Sequence, residues 1–124
     1  MNLDDVERWM DGYVHAWTTN DPADIAALFT DDATYHTAPY SEPFAGRDAI
    51  VAGWTEIADE PGTWTFRYEP MAIVGGLAFV RGWTDYVDGK PRTYHNLWVI
   101  SLEEGGRASE FTEWFMKERA PEST

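Results

Sequence analysis

Apolar residues recur at helical spacing in the first part of the chain and in alternation through the rest. Val6, Trp9, Met10, Tyr13 and Trp17 fall three or four residues apart, which predicts an amphipathic helix over Leu3–Thr18. Asp21 can cap a second, short helix whose first position is Pro22, and Asp24 favours its positive end. Ile25, Leu28 and Phe29 then share one face at helical spacing. Asp31 and Asp32 end that helix, and Ala33–Thr37 reads as a short strand. A crossing rich in Pro, Ser and Glu runs from Pro39 to Gly46. Arg47 then opens a third helix to about Ala58, with Ile50, Trp54 and Ile57 on its inner face. From Thr63 the period changes to two, predicting strands near 63–74, 77–87, 92–102 and 107–117. Gly75-Gly76, Asp88-Gly89 and Glu104-Gly105-Gly106 stand between them as turn signals. No repeat or linker interrupts the pattern, so residues 1–119 are expected to form one domain and 120–124 a frayed tail. Helices followed by a meander predict an α+β fold.

Composition narrows the function classes. The chain has 124 residues, 44% of them hydrophobic, including seven Trp, six Tyr and six Phe. That suffices for a core and for an apolar pocket as well. A net charge of −13 argues against nucleic acid or an anionic membrane as partner, because both would repel it. No apolar run reaches membrane-spanning length, and MNLDDVERW has no signal-peptide pattern. With no Cys, thiol and disulfide chemistry are absent, which fits a cytoplasmic protein.

The order within Asn20–Ile50 is a short capped helix, Asp-Asp-Ala and a strand, a Pro-rich crossing, then a helix beginning Gly-Arg-x-Ala-Ile. It resembles the SnoaL-like polyketide cyclases and the ketosteroid isomerases, relatives within the superfamily of nuclear transport factor 2. The resemblance implies a cystatin-like fold, a cone-shaped curved antiparallel sheet wrapped around three N-terminal helices, with a pocket inside the cone. Ketosteroid isomerases use an Asp base, with a Tyr and a protonated Asp as oxyanion hole. Position by position, that Tyr is Tyr13 here, the base falls at Thr37 and the second acid at Trp98. Thr cannot abstract a proton near neutral pH, and Trp offers one weakly acidic N–H. The resemblance therefore carries the fold and not the isomerase mechanism.

Alternation extends this register to the other strands. If Thr37 faces the pocket, so does Tyr35 and His36 does not; with Trp98 go Tyr94, Asn96 and Ile100. Arg81, Trp83 and Asp85 are expected to line the third strand, near 77–87, and Phe111, Glu113 and Phe115 the last. The expected cavity is mostly aromatic: Tyr13, Trp17, Tyr35, Tyr40, Trp54, Trp83, Trp98 and Phe115. Its polar groups are Arg81, Asp85, Asn96, Glu113 and Thr37, a composition typical of small-molecule sites.

Glu113 lies in a strand that otherwise reads as core, so its carboxylate needs a partner or is driven toward its neutral form by desolvation. It is either a general acid/base, with Asp85 as understudy, or one half of a structural ion pair with Arg81. Limonene epoxide hydrolases of the superfamily use an Asp-Arg-Asp arrangement, which Arg81, Asp85 and Glu113 would have to imitate. Tyr13, Tyr35 and Asn96 would polarise a ligand oxygen, or else merely satisfy the core. His15, His36 and His95 share no zinc-like spacing and point away from the pocket, so neither a metal nor another cofactor is expected. On the outer sheet face, Ala78, Val80, Leu97, Val99, Trp114 and Met116 form an apolar surface that predicts a homodimer. Two functions remain: a cofactor-independent acid/base enzyme acting on a small apolar or aromatic molecule, and a non-catalytic binding or interaction module. A cone filled by its own aromatics is the third outcome.

Overall fold

The computed structural model describes residues 1–119, so the expected tail at 120–124 lies outside the described residues. Helix α1 spans Leu3–Thr19, one turn of capping box at Asn2 and Asp5 fixing its start. It stops where Asn20 enters the left-handed region at φ 53°, its N–H donating to the Ala16 carbonyl. Helix α2 is Pro22–Ala26, capped by Asp21 as expected, but it ends sooner. Phe29 already belongs to strand β1, Phe29–His36, which absorbs Asp31 and Asp32 at an irregularity in its pairing. The acidic pair interrupts a strand, not a helix. Strand β2 is the short Phe44–Ala45, and helix α3 runs Arg47–Glu56. The four long strands are β3 Trp64–Val74, β4 Leu77–Tyr86, β5 Arg92–Leu102 and β6 Ala108–Lys117.

The strands form one curved, unclosed sheet in the order β2-β1-β6-β5-β4-β3. The meander β3–β6 is antiparallel, but β1 pairs with β6 in parallel. The sheet is thus mixed, where a wholly antiparallel one was expected. β1 precedes the meander and is joined to it through β2 and α3, so the hairpin rule that alternates neighbouring strands does not bind it.

The core lies between α1 and the concave face. Val6, Trp9, Met10, Tyr13 and Trp17 meet Phe29, Trp98, Ile100 and Phe111 there, all buried. Each such side chain contributes ~1.5–3 kcal/mol through burial. The Trp9 indole N–H donates to the Leu28 carbonyl at 3.0 Å.

One strand has the opposite parity from that expected. Ala78, Val80, Gly82 and Thr84 face inward on β4, while Phe79, Arg81, Trp83 and Asp85 face outward. Directly opposed residues of an antiparallel pair share a face, and Val80 opposes Trp98 while Gly82 opposes Asn96. A Cβ on Gly82 would stand 2.1 Å from Trp98 Cζ3. The indole takes the volume that a β4 side chain would need, so the inward positions are small and the bulky ones are displaced outward. Outside, Trp83 lies between the Arg67 and Arg81 guanidinium groups, 4.1 and 5.1 Å from its ring centre. Arg81 pairs with Glu69 at 3.5 Å, and Asp85 accepts from the Thr93 hydroxyl at 2.6 Å.

Ala78 and Val80 consequently belong to the core and not to the outer face. Leu97, Val99, Trp114 and Met116 do alternate outward, with Trp114 44% and Met116 74% exposed.

Candidate functional site

A cavity of about 380 Å³ opens at the concave face between α1, α3 and strands β4–β6. α1 supplies Tyr13 and Trp17, α3 supplies Trp54, and β1 with its C-terminal extension supplies Tyr35 and Thr37. Asn96 and Trp98 come from β5, and Glu113 and Phe115 from β6. The inward parity expected for β1, β5 and β6 therefore meets in one site.

Four expected members do not reach it. Arg81, Trp83 and Asp85 lie on the far side of the sheet because Gly82 and Thr84 take the inward positions of β4. Neither the Arg81–Glu113 ion pair nor an Arg81, Asp85 and Glu113 arrangement is assembled. Tyr40 is 91% exposed on the crossing, where the turn after Pro39 carries it outward. Phe44 occupies the wall instead, its ring packed against Tyr35 and over Gly53, where a Cβ would come within 2.6 Å.

Glu113 is held by three neutral donors on one oxygen. Its Oε2 accepts from the Tyr13 hydroxyl at 2.7 Å, the Trp98 Nε1–H at 3.0 Å and the Tyr35 hydroxyl at 3.2 Å. Trp98 reaches it because the two residues are direct partners across β5 and β6. Oε1 has no protein partner among the described residues. Burial first, and then the negative charge of Glu113, raise the Tyr13 and Tyr35 hydroxyls well above the usual tyrosine range. Both stay protonated as donors across the physiological range, so the cradle keeps one polarity.

A second carboxylate was not foreseen. Asp59 follows α3 in an irregular segment and lines the same cavity. Its Oδ2 accepts from Trp17 Nε1–H at 3.0 Å and from the Tyr86 hydroxyl at 2.9 Å. The segment is anchored by Asn20, whose Nδ2 donates to the Asp59 carbonyl at 2.7 Å while its Oδ1 accepts from Trp54 Nε1 at 3.3 Å. Burial and then the hydrogen bond to Asp59 raise the Tyr86 hydroxyl in turn. No local pattern in the sequence marks Asp59, because Ala58-Asp59-Glu60-Pro61-Gly62 reads as a solvated turn.

Deeper in, the Thr84 hydroxyl and Asn96 Oδ1 are 2.9 Å apart, a buried polar pair. Arg92 stands at the rim with its guanidinium 4.6 Å over the Tyr86 ring, bonded to the Asp88 carboxylate at 3.3 Å. The three His pair separately with Asp24, Glu110 and Glu118, away from the cavity. Among the described residues no three His, Asp or Glu side chains converge as a metal site would require.

A helix-backed curved sheet enclosing one aromatic cavity with two part-buried carboxylates defines the class of protein by its architecture. The profile of the SnoaL-like domain family matches residues 6–111, and the chain belongs to that family. No curated protein sequence matches it significantly. An NTF-2 like protein of unknown function from Burkholderia xenovorans LB400 is similar in structure, with a TM-score of 0.72 and 17% identity, covering 95% of this chain and 88% of that one. A putative ketosteroid isomerase from Kribbella flavida has a TM-score of 0.70 and 18% identity, with 98% and 84% covered. An epoxide hydrolase of M. tuberculosis, described as LEH-like, has a TM-score of 0.68 and 14% identity, with 91% and 84% covered. At such identities these neighbours show the shared fold. Among the described residues no helix is long and apolar enough to cross a membrane.

Proposed function

We propose that this SnoaL-like protein binds a small, largely apolar or aromatic molecule in its cavity and moves a proton on it, with Glu113 as the proton carrier and no cofactor. One observation supports this most: three neutral donors grip Oε2 of a carboxylate facing the cavity and leave Oε1 open. A carboxylate held at one oxygen and free at the other is an oriented base. A structural ion pair would need a cation, and Arg81, the cation expected to supply it, lies beyond the sheet. The hydroxyls of Tyr13 and Tyr35 and the indole of Trp98 then act as positioning groups, since their hydrogens are already committed to Glu113. Thr37, Asn96 and the aromatic walls contact the ligand. Isomerisation, dehydration, cyclisation and epoxide opening all fit this equipment. The names of the structural neighbours, a putative ketosteroid isomerase and an LEH-like epoxide hydrolase, lie within the same range.

A thermal-shift screen against ketosteroids, terpene epoxides, anthraquinone-like polyketides and small aromatic acids tests binding. A ligand at a hundred times its Kd stabilises the fold by about 2.7 kcal/mol. Product formation from each hit, followed by NMR, tests turnover. Loss of turnover in Glu113→Gln with binding kept supports proton transfer. Binding without turnover of any hit supports instead a non-catalytic binding module of the same fold.

We also propose a cytoplasmic homodimer packed through the outer sheet face. Trp83, Leu97, Val99, Trp114 and Met116 support the interface, and the absence of Cys fits the compartment. Light scattering at micromolar concentration is expected to give twice the monomer mass of 14.1 kDa. A monomer mass contradicts the dimer without touching the cavity.

A further inference from the structure

Two carboxylates face one cavity, and each keeps an oxygen that no protein donor occupies. Glu113 commits Oε2 to Tyr13, Tyr35 and Trp98, and Asp59 commits Oδ2 to Trp17 and Tyr86. Oε1 and Oδ1 have no hydrogen-bond partner among the described residues, and neither is sealed away from the cavity. Arg92 is the one basic residue among those lining the site. Its guanidinium is held at the rim by the Asp88 carboxylate and by the Asp88 and Lys90 carbonyls, all bonded to Nη1. Its charge is thus countered outside the cavity, and the two inner carboxylates are left without a cation.

The walls suit a positive charge as well. Indole and phenol faces carry a negative quadrupole that attracts cations, and Trp17, Trp54, Tyr86, Tyr94 and Trp98 line the space. Arg92 shows the effect on one of them, resting 4.6 Å over the Tyr86 ring. An anionic ligand would be repelled by both carboxylates and by a chain of net charge −13. A neutral apolar ligand would displace water from two open carboxylate oxygens and return nothing, which is unfavourable in a partly desolvated site. A ligand that brings N–H donors and a positive charge satisfies both oxygens and the rings.

We propose that the cavity is selective for an organic cation: a protonated amine carried on a compact ring-bearing body of a size that fits about 380 Å³. Asp59 is its anchor, and the aromatic walls hold the apolar body. The proposal rests on the cavity being a ligand site, as above, but not on proton transfer within it.

Three probes of one shape separate the charge states: 2-naphthylmethylamine, protonated at neutral pH, 2-naphthylmethanol and 2-naphthoate. Calorimetric titration of the whole chain at physiological ionic strength is expected to rank the amine at least about tenfold tighter than the alcohol, with the carboxylate weakest. Asp59→Asn is expected to weaken the amine about tenfold and to leave the alcohol unchanged. Glu69→Gln, on the outer face, removes the same net charge and is expected to change neither. Equal affinity for amine and alcohol overturns the proposal, with no variant needed. So does an equal loss in Asp59→Asn and Glu69→Gln, because the general acidic field would then account for the preference. If the amine fails while Glu113→Gln still abolishes turnover of another compound, cation selectivity falls and proton transfer stands. If the amine binds and no compound is turned over, the opposite holds.

Discussion

The two carboxylates of the cavity are held by the same chemistry on different foundations. Each has one oxygen gripped by a tyrosine hydroxyl and an indole N–H. Glu113 sits in the middle of β6, with its partners Trp98 on the adjoining strand and Tyr13 on a helix packed against both. Asp59 sits in the segment after α3, tied down by Trp17, Tyr86 and the Asn20 side chain. A site on strands keeps its geometry through the sheet ladder, while a site on a connecting segment keeps it only through side chains. Glu113 suits a proton carrier, whose position must hold to fractions of an ångström. Asp59 suits an anchor that adjusts to its ligand.

The sharpest way to break this division is to neutralise each carboxylate in turn. Glu113→Gln is expected to lower turnover by about 10²–10⁴ with binding kept, the range of a lost general base. Asp59→Asn is expected to weaken binding and spare turnover at saturation, a KM effect. Identical kinetic consequences would mean that the two groups are not divided between proton transfer and anchoring.

Gly82→Ala attacks the rigid cradle from behind. Its methyl would stand 2.1 Å from Trp98 Cζ3, so the indole that donates to Glu113 must move. The expected loss is ~1–3 kcal/mol from overpacking, read as a lower midpoint in chemical denaturation. The Asp59 side, which does not touch Gly82, should still bind the naphthylmethylamine probe. Stability unchanged in Gly82→Ala would contradict the parity assigned to β4.

Alkaline titration probes the Glu113 cradle through its tyrosines. The unfolded chain releases tyrosine protons around pH 10, whereas Tyr13 and Tyr35 have raised values in the fold. Below pH 10 both states hold these protons and their contribution to stability is complete. Above it the unfolded state sheds them first, so stability falls as pH rises toward the folded values. Each such tyrosine adds a slope of about 1.4 kcal/mol per pH unit. Tyr13→Phe is expected to flatten the fall of Tm above pH 10 by about one tyrosine's share, and an unflattened curve would contradict the hydrogen-bonded cradle. The smallest effect belongs to Arg81→Met. It removes an exposed pair with Glu69 and an exposed contact with the Trp83 ring, and is expected to change stability by less than ~1 kcal/mol and turnover not at all.

The uneven foundations also explain what the sequence disclosed. Helix α1 and strands β5 and β6 were legible because their periods are long and their apolar residues large, so Glu113 between Phe111 and Phe115 stood out. β4 misled because its inward residues are Ala78, Val80, Gly82 and Thr84, while the bulky Phe79 and Trp83 face out. Size normally marks the buried side, and here the Trp98 indole reversed it. The register of β4 was recoverable only through its partner strand, which no local pattern contains. Asp59 was illegible for a different reason. In Ala-Asp-Glu-Pro-Gly it reads as a solvated acid in a turn, and only the long-range bonds from Trp17 and Tyr86 bring it into the cavity. Tyr40 erred the other way, since an aromatic in a Pro-rich crossing gives no sign of which way the turn aims it.

The central claim is that Glu113 carries the proton, and one paired measurement bears on it most directly. For a compound that the wild type converts, kcat and Kd are determined for the wild type and for Glu113→Gln. The account predicts a Kd within about threefold and a kcat reduced by about 10² or more. A variant that turns the compound over at the wild-type rate would contradict it, and would leave Glu113 as a part-buried acceptor for its three donors.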